Sequence, residues 1–147
     1  MKVEGKTMIN ASRERVWAFL TDPNSVAACA PGVESMEIIE ADKKFRAVAS
    51  VGLGNLKVKF NADVEWVELD APNKARMKAH ATAPGSAVDV TAEMLLIEKE
   101  SDSTEMAWSA EIHVLGTIAA LAARMMSSVT QKLTGEFFDC MKKQIEG

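Results

Sequence analysis

Two histidines, two cysteines and a scatter of carboxylates are the residues here that could carry acid–base, nucleophilic or metal chemistry. Acid–base catalysis needs ionisable groups that point into a pocket, with surroundings that move their pKa toward the working pH. His80 lies in Lys78-Ala79-His80-Ala81-Thr82 and His113 in Glu111-Ile112-His113-Val114. The alternation places each imidazole on the side of a charged neighbour, so both are expected in solvent. A metal site needs His, Cys or carboxylates clustered at workable spacing. The histidines lie far apart on different strands, and Asp89, Glu93, Glu111 and His113 read as a cross-strand charge face, so no metal or other cofactor is expected. There is no GxSxG elbow, phosphate-cradling loop or dinucleotide fingerprint. Val51-Gly52-Leu53-Gly54 reads as a bend that opens a strand.

Cys29 and Cys140 lack CxxC spacing, which fits two reduced thiols with small apolar side chains better than a bridge. Cys29 sits in a Cys29-Ala30-Pro31-Gly32 turn, with nothing adjacent that would lower its pKa. The polar groups expected to face inward are few, chiefly Thr7 and Cys29.

These residues are positioned by elements with two distinct periods. Lys2 to Ile9 alternates Val3, Gly5, Thr7 and Ile9 against Lys2, Glu4, Lys6 and Met8, which predicts a strand. Asn10 and Ser12 offer capping oxygens for a helix carrying Val16, Phe19 and Leu20, stopped by Asp22-Pro23. A second short helix is predicted over 24–28, ending before Pro31-Gly32. Period-two alternation then runs through Leu56, Val58, Phe60, Ala62, Val64 and Trp66. Beyond the turn Asp70-Ala71-Pro72-Asn73 it continues through Ala75, Met77, Ala79, Ala81 and Ala83, predicting a hairpin. Val88, Val90, Ala92, Met94 and Leu96 follow Pro84-Gly85-Ser86, and Met106, Trp108, Ala110, Ile112 and Val114 follow the polar turn Ser101-Asp102-Ser103. The last segment changes period: Ile118, Leu121, Met125, Val129, Leu133, Phe137 and Met141 make the stripe of a long amphipathic helix. An α+β helix-grip fold is therefore expected, a curved antiparallel sheet wrapped around a long C-terminal helix, with two short helices after the first strand.

At 147 residues a single domain, 1–147, is the expectation. A formal net charge of -4 with interspersed signs excludes a basic stripe for nucleic acid. The polar N-terminus shows no secretory signal, and a cytoplasmic location is expected. The apolar run from Val114 to Ala123, ended by Arg124, is too short to span a bilayer, so no transmembrane anchor is expected.

The face predicted to point inward mixes many alanines with Phe60, Trp66, Met77, Met94 and Trp108. Buried alanine where leucine would pack leaves space that costs about 2–5 kcal/mol when unfilled, so this face implies close helix approach or a filled cavity. Nine methionines add adaptable apolar surface. The residues expected to line such a pocket are Phe60, Trp66, Met77, Ala79, Ala81, Val90, Ala92, Met94, Trp108, Ile112, Leu121, Met125 and Val129. Arg124 is read as lining the pocket mouth, as pairing with a partner's carboxylate, or as a snorkelling surface arginine.

Val16-Trp17-Ala18-Phe19-Leu20-Thr21-Asp22-Pro23, Cys29-Ala30-Pro31-Gly32, Val51-Gly52 through Phe60, Ala83-Pro84-Gly85-Ser86, Val114-Leu115-Gly116-Thr117-Ile118-Ala119 and Phe137-Phe138 together carry a resemblance. Over almost its whole length the chain resembles the CoxG family of carbon monoxide dehydrogenase subunits, within the SRPBCC, START and Bet v1-like superfamily. It departs from that pattern at Ala62, near Asp102, and at Ala122 and Ala123 before Arg124. The resemblance makes Cys29, Pro31 and Gly32 a family-motif loop. It implies a non-catalytic accessory protein beside a molybdenum-containing carbon monoxide dehydrogenase or related hydroxylase, in maturation or recruitment. Its implied cargo is an apolar small molecule, a lipid, isoprenoid or quinone. The alternatives are a cyclase- or hydrolase-type enzyme using the same cavity, or a purely structural protein that contacts its partner enzyme through Met126 and Phe138.

Overall fold

Alternation of apolar and polar residues, read strand by strand, builds a seven-stranded antiparallel sheet, and the computed structural model describes it over residues 1–100 and 102–146. The chain order is β1 (Lys2–Ile9), α1 (Arg13–Leu20), α2 (Pro23–Cys29), β2 (Val33–Glu40), β3 (Lys44–Leu53), β4 (Leu56–Asp70), β5 (Lys74–Ala83), β6 (Ser86–Glu98), β7 (Thr104–Gly116) and α3 (Ala119–Ile145). In space the strands run β1-β7-β6-β5-β4-β3-β2, so β1 and β2 are the two edges. This is the helix-grip order expected above. Of the turn expected at 101–103, Ser101 lies outside the described residues, as does Gly147 at the end of the expected domain.

Local chemistry sets the boundaries. Ser12 caps α1 by accepting from the Arg15 amide at 3.3 Å, whereas the Asn10 amide instead donates to the Glu146 carboxylate at 2.7 Å. Asp22 caps α2 by accepting from the Asn24 amide, and Pro23 takes the first helical position, where its missing N–H costs nothing. The helix starts and ends one residue beyond the expected 24–28. The glycine pair at 52 and 54 corrects the expected strand opening. Val51 to Leu53 close β3, and Gly54, with φ +65°, begins the two-residue turn that pairs Leu53 with Leu56. Gly32 has φ +81°, and a Cβ there would lie 2.1 Å from the Ser50 carbonyl, while its own carbonyl accepts from the Ser50 amide. The Cys29-Ala30-Pro31-Gly32 loop is therefore a docking joint of α2 onto β3.

Cys29 and Cys140 form a disulfide, which corrects the expectation of two reduced thiols. They are 111 residues apart in sequence, but the end of α2 lies beside the last turns of α3, with Cα atoms 5.4 Å apart. A cross-link closing so long a loop restricts the unfolded chain. Cys140→Ser is expected to lower stability by about 2–4 kcal/mol in urea unfolding under oxidising conditions. Without reductant, neither sulfur should react with iodoacetamide; a full thiol titre in the untreated protein would contradict the bond.

Candidate functional site

The inner face of the sheet is built in rungs. Trp66, Met77, Ala92 and Ala110 form one, and Phe45, Val64, Ala79, Val90 and Ile112 the next, each aligned across neighbouring strands. A β-bulge between Trp66 and Glu68 breaks the alternation of β4 and leaves Val67 51% exposed. Facing these rungs, α3 comes closest in backbone to β1, β3 and β7 and to α1 and α2, and stands further from the central β4, β5 and β6.

The packing is accordingly divided. One cluster joins Ile9, Val16, Phe19, Leu20, Cys29, Ala75, Met94, Leu96, Met106, Met141 and Ile145, with Trp66, Trp108, Phe137 and Phe138 packed against it. The other joins Leu53, Phe60 and Ile118, with Ala81, Leu121, Met125 and Val129 against it. Of the expected lining residues, Trp66, Met94 and Trp108 thus fall in the first cluster, and Phe60, Ala81, Leu121, Met125 and Val129 in the second. Met77, Ala79, Val90, Ala92 and Ile112 belong to neither. They lie between the clusters and keep part of their surface open, as do Ala62, Ala110 and Leu133. Phe45, on β3, shares this band and was missed, because the expected alternation starts only at β4.

An aromatic chain fastens α3 at one end. Phe19 meets Phe137 at 6.4 Å between ring centroids, Phe137 meets Phe138 at 5.7 Å, and Phe138 meets Trp108 at 6.5 Å. Gly5 makes room for it: a Cβ there would lie 2.8 Å from the Trp108 ring. Phe138, expected as a partner contact, is engaged in this packing instead. Cys29 is likewise occupied by its bond, and Thr7 remains the half-buried hydroxyl of β1 on the inner side. Arg124 is exposed.

The charged groups lie on the other face. His80 Nδ1 is 2.6 Å from Asp89 Oδ1, both about half exposed, and His113 pairs with Glu111 at 3.8 Å. A groove of about 600 Å³ runs over these outer rungs, walled by Arg46, Asp63, Lys78, His80 and Asp89. Arg46 pairs there with Asp63 at 2.8 Å and His80 with Asp89, which makes it a solvated, exposed charged surface. The Ser50 hydroxyl, then Lys59, hold the Glu34 carboxyl below its ordinary pKa. A hydrogen bond from Lys99, reinforced by its charge, does the same for Glu105, and Asp63 raises Arg46. Among the described residues, no cluster of three His, Cys or carboxylate groups could hold a metal ion, and no helix is long and apolar enough to cross a membrane.

The family model for the carbon monoxide dehydrogenase subunit CoxG matches residues 5–146. No curated protein matches the chain. Among solved structures, a conserved protein from Geobacillus kaustophilus is similar at TM-score 0.91 and 24% identity, over 99% of this chain and 95% of that one. The Zhui aromatase/cyclase from Streptomyces sp. R1128 is similar at TM-score 0.76 and 16% identity, over 99% and 93%. A START superfamily protein from Mycobacterium smegmatis is similar at TM-score 0.76 and 10% identity, over 99% and 97%. At these identities the likeness is one of fold.

If the band between the clusters is open, added methylenes there meet space rather than neighbours. Ala92→Leu should then leave stability unchanged or raise it by up to about 1 kcal/mol in urea unfolding, instead of the loss of about 1–3 kcal/mol typical of an overpacked core. A loss in that range would indicate a closed interior.

Proposed function

The chain belongs to the CoxG family of carbon monoxide dehydrogenase subunits, and from that premise we propose that it is a non-catalytic accessory protein holding an apolar small molecule between its sheet and α3. The observation that supports this reading is the half-buried apolar band of Met77, Ala79, Val90, Ala92 and Ile112, which neither packed cluster fills. Together with the cluster residues on either side, this band is the proposed lining, and the whole chain is the proposed domain. The proposed cargo is a lipid, isoprenoid or quinone, because the lining offers apolar contact and almost no polar group to match. Hiding roughly 300 Å² of such a molecule contributes on the order of 7 kcal/mol before association costs. Micromolar binding, about 8 kcal/mol, therefore calls for a somewhat larger ligand.

The family supplies the proposed partner, a molybdenum-containing carbon monoxide dehydrogenase or related hydroxylase that the protein assists in maturation or recruitment. The proposed setting is the cytoplasm. The Cys29–Cys140 bond pulls against that setting, since such bonds persist where the surroundings oxidise.

A second reading, an enzyme of cyclase or hydrolase type, draws on the likeness in fold to the Zhui aromatase/cyclase. Fold likeness does not carry chemistry across, and catalysis would need ionisable groups aimed at the band. The groups with displaced pKa values, Glu34, Arg46 and Glu105, belong to ion pairs outside it, with Lys59, Asp63 and Lys99 respectively.

Native mass spectrometry of freshly purified protein is the test. The expected result is a copurifying apolar molecule that is lost in Ala79→Phe, whose ring would occupy its place. Protein that is always empty, and that takes up no isoprenoid or lipid offered to it, would end the reading.

A further inference from the structure

The central band needs a route to the outside, and its two ends are not equally closed. At one end Leu53, Phe60 and Ile118 are each 9% exposed or less and pack on one another across the β3–β4 turn and the start of α3. At the other, a cleft of about 320 Å³ opens between the α1–α2 corner and the β2–β3 hairpin, lined among others by Ala18, Thr21, Pro23, Ile38, Phe45 and Trp66.

Register ties this cleft to the interior. Phe45 stands opposite Val64, whose rung continues to Ala79, Val90 and Ile112, and Trp66 stands opposite Met77, whose rung continues to Ala92. Ile38, opposite Phe45, keeps 44% of its surface exposed on the lip.

The two lips differ in how firmly they are held. The helical lip is anchored by Val16, Phe19 and Leu20 in the first cluster and by the Cys29–Cys140 bond from α2 to α3. The strand lip is an edge: β2 pairs with β3 alone, and its register is interrupted between Val33 and Ser35 and again between Ile38 and Glu40. An interrupted edge strand with few buried apolar residues is the inexpensive element to displace.

We propose that the apolar molecule passes in and out through this cleft, with the edge strand β2 as the moving lip and the α1–α2 corner as the fixed one. The inference rests on the ligand-holding function proposed above and adds its route, which the sequence gives no sign of because the two lips come from segments of different period.

Stopped-flow energy transfer from the protein's tryptophans to all-trans-retinol, an isoprenoid with one uncharged polar end, tests it. Ile38→Trp and Ala18→Phe, which crowd the cleft from opposite lips, should each slow association and release together by roughly fivefold or more, with Kd shifted less than about twofold. Ile38 is surface-exposed, so its variant keeps the fold even where Ala18→Phe does not. Leu56→Trp, at the closed end, should leave both rates alone. Rates unchanged in the cleft variants, or slowed by Leu56→Trp in their place, would overturn the route while leaving ligand binding intact. Failure of the unaltered protein to bind retinol or any other isoprenoid would remove the cargo, and the route with it.

Discussion

A long helix held at both ends over a curved sheet is the constraint on which the rest of this structure depends. At 27 residues α3 is about 40 Å long. It is pinned near Ile118 by the β3–β4 turn and near Met141 and Ile145 by α1, α2 and the ends of β6 and β7. The aromatic chain from Phe19 to Trp108 and the Cys29–Cys140 bond fix the second point. Between these anchorages α3 stands further in backbone from the central β4, β5 and β6 than from β1, β3 and β7, and it is there that the proposed gap lies.

Residue size follows the same division. Ala79, Ala92 and Ala110 stand on the two central rungs beneath the proposed gap, while Trp108, Phe60 and Phe137 belong to the packed clusters on either side. A protein selected only for stability gains by filling such a space, since unfilled apolar volume is costly.

Much of the frame was legible in the sequence because alternation is strict where one sheet face is buried. From Val58 to Trp66 and from Ala75 to Ala83 the apolar positions of the alternation are the inward ones, and His80 and His113 fall outside as their neighbours require. Legibility failed where period or distance failed. The edge strand β2 has two register shifts and only two residues that are not exposed, so it carries little alternation, and with it Ile38 and Phe45 escaped notice. Gly52 and Gly54 were read at the wrong end of a strand because a two-residue turn leaves almost no polar signal of its own. The disulfide joins segments whose adjacency exists only after folding.

The central claim, an accessible apolar gap between the middle of α3 and the sheet, is tested most directly by diffraction from crystals of the protein under xenon pressure. Xenon occupies apolar voids without needing a polar partner. The account requires ordered xenon among Ala79, Val90, Ala92 and Leu133. Crystals in which those side chains touch α3 directly, with no xenon between them, would contradict it.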